Sequence, residues 1–205
     1  MVRDLRSQQR ELTRCLILNA LTEILASGEF RNFKAEDLAE RSGVSVATIY
    51  RHFADRDTLL REFLRWSLDL VQKRGVTFDP RGTEEFAQTA RDYYAAYDEV
   101  AEHSKGMFKL YHAGDPLMDR ELAALRKQRS EEYARALSEA APDSDFQVVR
   151  ILSVLIPYLA SVHVWHLFHD HPGIDTAHAG EVIAQIIDLI VRAFQERSIG
   201  TSPEC

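Results

Sequence analysis

The residues Ser45-Val46-Ala47-Thr48-Ile49-Tyr50-Arg51-His52, followed closely by Arg56, hold the most distinctive chemistry of this 205-residue chain. Thr48, Tyr50 and His52 offer hydrogen bonds to phosphate oxygens, and the guanidinium of Arg56 adds charge to such a contact. Arg51 can fork onto a guanine edge, while Val46 and Ala47 are small apolar groups suited to a thymine methyl. Lys34, Arg51 and Arg56 bracket the run with positive charge. Arg3, Arg6, Arg10 and Arg14 crowd the start of the chain, where they can follow a minor groove or phosphates, or form a solvated tail. This is the chemistry of reading double-stranded DNA.

Two short helices must present these groups. The sequence Ser42-Gly43-Val44 predicts a sharp corner, because Gly43 tolerates the positive φ such a corner needs. Ser45 supplies a hydroxyl N-cap for the second helix. Ala39 is small enough for close helix approach, and Leu38, Val44, Ile49 and Phe53 are the apolar residues expected to lock the pair. Val46, Ala47, Thr48, Tyr50 and Arg51 then face outward, which is the layout of a helix-turn-helix.

The stretch Gly43-Val44-Ser45-x-x-Thr48-Ile49-Tyr50-Arg51-His52-Phe53-x-Asp55-Arg56-Asp57-x-Leu59-Leu60 resembles the N-terminal signature of TetR-like transcriptional regulators. An amphipathic first helix, followed by Phe30 and Phe33, agrees with it. The resemblance covers about residues 8–65; further on it is one of length and helical layout. Lys34 stands where the family usually has a capping Thr, and Glu29 where it usually has Gly. The resemblance implies backbone contacts from Thr48, Tyr50, His52 and Arg56, and operator-dependent contacts from Val46, Ala47 and Arg51. It also implies an all-α fold: a helix-turn-helix domain over 1–54, then a helical effector-binding and dimerisation domain over 55–205. The function implied is a homodimeric repressor that a small-molecule effector releases from a palindromic operator.

A net charge of −7 is unexpected for a DNA binder until it is divided along the chain. Residues 1–66 hold 11 Arg and Lys against 10 Asp and Glu, whereas residues 67–205 hold 14 against 22. Screening at physiological salt confines phosphate attraction to about 8 Å, so the local balance governs binding. The acidic remainder favours solubility and weakens indiscriminate DNA binding. Hydrophobic residues make up 45% and charged residues 28%, which argues for a folded globular chain. Two cysteines, Cys15 and Cys205, imply no disulfide framework and fit a reducing cytoplasm. Met1-Val2-Arg3-Asp4 lacks an apolar signal core, and the apolar stretch Ile151–Phe168 is interrupted by Ser153, Pro157, Ser161, His163 and His166, so no membrane span is expected.

Apolar spacing predicts helices at 8–27, 35–42 and 46–53, a fourth at about 55–72, then 83–103, 104–112, a charged helix to about 140, 145–169 with a kink at Pro157, and 176–197. The fourth carries neither Gly nor Pro and is expected to connect reader and body. The helices at 145–169 and 176–197 are too apolar for a solvated surface. They form either a monomer's core or, as the resemblance implies, a four-helix interface between two copies.

Tyr93, Tyr97, Phe108, Tyr111, Tyr158 and His163 are candidate contacts for an organic effector, since such pockets are mostly apolar with a few placed polar groups. Ordinary core is the alternative for each. His163, His166, His169 and His171 crowd nine residues, so a metal- or histidine-dependent sensor is a second reading, although no recognised metal-ligand pattern accompanies them. A ligand-independent DNA-binding module is a third, disfavoured by the length of chain after the reader. No phosphate loop, nucleophile elbow or metalloprotease motif appears, so neither catalysis nor a cofactor is expected.

Overall fold

Apolar spacing at the start of the chain becomes α1, Leu5–Ser27. Its second half is buried through Ile17, Leu18, Leu21, Ile24 and Leu25, while Leu12 and Leu16 stay exposed. The computed structural model describes residues 5–30, 33–77 and 79–199. Arg3 and Cys205 of the expectations above lie outside them. Nine further helices follow among the described residues: α2 Ala35–Ser42, α3 Val46–His52, α4 Arg56–Gln72, α5 Phe86–Glu99, α6 Ala101–Tyr111, α7 Pro116–Ala140, α8 Phe146–Leu159, α9 Val162–His169 and α10 Thr176–Ile199. A 3-10 turn, Thr83–Glu85, leads into α5. The fold is all-α, and no single described helix is long and apolar enough to cross a membrane.

Two expected helices divide differently. The helix expected over 83–103 ends at Glu99, because Val100 leaves helical geometry at φ −124°, ψ 43°, and α6 starts at once. The helix expected over 145–169 breaks at Ala160-Ser161 rather than kinking at Pro157. Pro157 lies inside α8 but has no N–H for the carbonyl four residues back, so the helix loses a rung one turn before it stops. Ser161 then turns extended, at φ −83° and ψ 161°, and restarts the chain as α9 at an angle of 44°.

The residues pack as two compact units. The first runs through Asp69 in α4 and takes in Ala101–Glu121; the second comprises Leu70–Val100 and the chain from Leu122 onward. In the first, α6 lies along α1. Gly106 makes this approach possible, since a Cβ there would sit 3.3 Å from both Leu25 Cβ and the Thr22 carbonyl oxygen. His103 is buried on the same face, its ring 5.3 Å from Phe63 and 5.1 Å from Trp66, with Nδ1 3.2 Å from Thr22 Oγ1. Lys109 Nζ donates to the Ala26 carbonyl.

In the second unit α5 lies against α10. Gly180 faces Tyr94 so closely that a Cβ would fall 2.7 Å from the tyrosine Cβ. Arg91 grips Glu181 through two hydrogen bonds of 2.7 and 3.1 Å, and Phe86 stacks on Tyr133 at 4.4 Å. Trp165 is fully buried and donates to Asp98 Oδ1 at 2.7 Å, which also accepts from the Thr176 hydroxyl at 2.8 Å.

Candidate nucleic-acid interface

The corner forms where Gly43 ends α2 in the left-handed region at φ 68°. Ser45 Oγ accepts the Thr48 N–H at 3.2 Å, so it is the N-cap that the sequence proposes for α3. Leu38, Ile49 and Phe53 are buried between the helices, and Val44 is half-buried. α2 begins differently from the usual hydroxyl cap. Asp37 reaches back one turn, and its Oδ2 accepts the Lys34 backbone N–H at 2.7 Å. The acid at the third helical position supplies the reciprocal half of a capping box, which leaves the Lys34 side chain exposed and uncommitted to capping.

Burial at Ile49 and Phe53 turns the intervening face of α3 to solvent. Tyr50 is 55% exposed, Ala47 and Arg51 are exposed, and Val46, Thr48 and His52 are half-buried. The Ser45 and Thr48 hydroxyls share a 2.9 Å hydrogen bond, and Arg51 Nη2 lies 3.5 Å from Thr48 Oγ1. This chain of contacts runs one turn along the helix and ends on Arg51. Asp55 Oδ1 accepts the Thr58 N–H at 2.6 Å and caps α4, and that hydrogen bond is the main cause of a pKa below the ordinary carboxylate value.

His52 stands among cations. Burial, then Arg10, Arg51 and Arg14, lower its pKa below 6.5, with Glu11 opposing. Arg14 is held by Glu11 at 3.5 Å and by Glu62 across α4, which commits it to the fold rather than to a free tail. Arg56 is also engaged: Nη1 donates to Asp115 Oδ2 at 2.6 Å, and the guanidinium lies over the Phe30 ring at 4.8 Å. Asp115 was not among the sequence candidates. It lies 59 positions from Arg56, so no local spacing could reveal the pair.

The effector candidates fall into separate groups. Phe108 and Tyr111 lie on α6 in the first unit, with Phe108 4.5 Å from His112. Tyr93, Tyr97, Tyr158 and His163 lie in the second. Tyr93 and Tyr97 are buried and adjacent at 5.5 Å, with Trp165 5.9 Å beyond Tyr97 and Arg129 5.4 Å over Tyr93. Tyr158 is exposed and 5.9 Å from His163. Trp165 and Asp98 join this region unannounced by any motif. The histidines spread apart chemically: His166 Nε2 pairs with Asp170 at 3.3 Å, and His169 stacks on Trp165 at 4.5 Å. Among the described residues no group of three His, Cys, Asp or Glu is disposed to hold a metal.

Known proteins resemble this chain in sequence and in fold. Residues 17–63 match the family model described as bacterial regulatory proteins, tetR family. The chain is 24% identical over 186 residues to the HTH-type transcriptional repressor KstR of Rhodococcus jostii (strain RHA1), covering 90% of this chain and 86% of that protein. Its fold is similar to that of the TetR family transcriptional regulator PfmR from Thermus thermophilus, with a TM-score of 0.62, 19% identity, and 93% and 97% of the two chains covered. It is also similar to a Rhodococcus sp. protein described as a TetR-family transcriptional regulator, with a TM-score of 0.64, 21% identity, and 88% and 99% covered.

Proposed function

We propose that this chain, whose residues 17–63 match the tetR-family model, is a DNA-binding transcriptional regulator of that kind: a homodimeric repressor that a small-molecule effector releases from a palindromic operator. The observation that carries the dimer is an apolar face without cover. On α8, Ile151 is 62% and Val154 60% exposed, and on α10, Leu189 is 64% exposed with Val182 and Ile186 beside it. Burying such a face against a second copy removes apolar surface from water at about 25 cal/mol per Å². A twofold pair presents two copies of α3 to successive major grooves, and such symmetry selects a palindromic site.

In this reading residues 1–54 read DNA, while 55–205 bind effector and dimerise. Lys34, Thr48, Tyr50, His52 and Arg56 meet phosphates; Ser45 sets the start of α3; Val46, Ala47 and Arg51 meet base edges. The effector site draws on Tyr93, Tyr97, Tyr158 and His163. Their mix of apolar rings and few polar groups suits an organic molecule. The protein acts in the cytoplasm and catalyses no reaction.

Light scattering tests the assembly. The wild type should give twice the 23.4 kDa chain mass, and Leu189→Arg should shift it towards the monomer and weaken operator binding together. A monomeric wild type that holds its operator tightly would contradict the reading.

A further inference from the structure

Arg56 stands where the reading above needs a phosphate contact, yet it is held from behind. α3 ends at His52 and α4 opens with Arg56, so this side chain sits at the junction of reader and connector helix. Its guanidinium lies 4.8 Å from the Phe30 ring centre and 5.6 Å from that of Phe33. Nη1 donates to Asp115 Oδ2 at 2.6 Å. One donor is thus occupied, while the side chain remains 43% exposed, leaving other N–H groups of the fork toward solvent.

Asp115 is in turn fixed by the corner between α6 and α7. Its side chain is only 10% exposed, and Oδ1 accepts the N–H groups of Leu117 at 3.0 Å and Met118 at 3.1 Å. The two oxygens divide the work: one caps α7, the other holds Arg56. Gly114 precedes it at φ 68°, and Pro116 opens the helix with its φ fixed by the ring. Burial opposes the Asp115 charge, but the Arg56 hydrogen bond and the two backbone N–H groups outweigh it and lower the pKa. A second ion pair, Arg61 Nε to Glu121 Oε1 at 3.1 Å, ties the same two helices one turn further along. All these residues belong to the first unit, whose α6 is bolted to α1 through Thr22, Gly106 and Lys109.

We propose that Asp115 is a positioning residue of the DNA interface: it presents the Arg56 guanidinium to a phosphate, and so makes the α6–α7 corner a point of control over DNA binding. The proposal rests on the reading that Arg56 meets a phosphate. A guanidinium pinned over two aromatic rings and one carboxylate keeps its remaining donors aimed in one direction. Moving the corner moves Asp115, and Arg56 must follow or let go. Control then reaches the α3–α4 junction directly, without having to pass along the length of α4.

The test uses the full chain and DNA fragments enriched from a random pool. Asp115→Asn keeps an N-cap acceptor for α7 and removes the charge that holds Arg56. It should weaken binding on the order of tenfold and lower the slope of log affinity against log salt by about 1, as Arg56→Ala does. The double variant should bind no worse than Arg56→Ala alone. Gly114→Ala, which strains the corner without touching Arg56, should weaken binding in the wild type but not in the Arg56→Ala background. In the DNA-free protein the Arg56 Nε–Hε resonance should shift on Asp115→Asn, with thermal melts reporting that the fold persists. Additive losses, an unchanged salt slope, tighter binding by Asp115→Asn, or an unmoved Arg56 resonance would each overturn the proposal. A pool that yields no enriched DNA would instead contradict the DNA-reading premise and take the proposal with it.

Discussion

Tyr50 and Arg51 are neighbours on α3, both exposed, and in the proposed reading they answer to different parts of a DNA duplex. A phenol can donate to a phosphate oxygen of any sequence, whereas a guanidinium that forks onto guanine discriminates. Tyr50→Phe should therefore weaken binding to operator and random DNA alike. Arg51→Ala should relax preference at one position per half-site, costing about 1–3 kcal/mol there. Competition binding with single-position operator variants separates the two, and an equal loss on operator and random DNA would contradict the role of Arg51. His52 adds a proton to the account. Burial and the cations Arg10, Arg51 and Arg14 lower its pKa in the free protein, and Glu11 only partly offsets them. A phosphate against the ring favours the charged form, so the complex binds more protons than its parts. Affinity should rise as pH falls from the pKa of His52 in the complex towards its lowered free-state value, then level off. His52→Gln should flatten that dependence, and an unchanged pH profile would place the phosphate elsewhere.

At the scale of elements, close helix approach decides stability. Gly180 on α10 faces the Tyr94 Cβ at a distance no added methyl fits, 2.7 Å from the ideal Cβ position. Gly180→Ala gains about 1 kcal/mol of helix propensity, but crowding a packed contact costs typically about 1–3 kcal/mol. The net expectation is a lowered denaturation midpoint in urea; a raised one would mean that α5 and α10 separate freely. The same distinction between local and distant causes explains what the sequence revealed. The α2–α3 corner was legible because Gly43, Ser45 and the spacing of Leu38, Ile49 and Phe53 act within a few residues of one another. The reciprocal cap from Asp37 is equally local, but Lys34 at the cap position carries no hydroxyl to signal it. Val100 ends α5 with no Gly or Pro to mark it, and the break at Ala160-Ser161 follows the proline rather than coinciding with it. Arg56 with Asp115, and Trp165 with Asp98, are separated by 59 and 67 positions. Periodicity carries no record of such pairs, since tertiary packing alone brings them together.

For the whole molecule, charge and hydrophobicity are divided between two tasks. The segment bearing α3 is close to neutral in net charge, while the acidic excess lies in the remaining residues. That division suits a protein which must find one DNA site without adhering to all of them. The exposed apolar residues of α8 and α10 are the surface on which the proposed pairing of two such readers rests. In the proposed reading effector release obeys linkage: whatever factor a ligand takes from operator affinity, the operator takes from ligand affinity. In the same reading two copies of α3 read one symmetric site. Repeated selection of DNA bound by the full chain from a random pool, followed by sequencing, tests it most directly. The expected result is a palindrome whose half-site centres lie about one helical turn apart, roughly 34–36 Å. Recovery of a single unrepeated half-site, or of no preferred sequence, would contradict it.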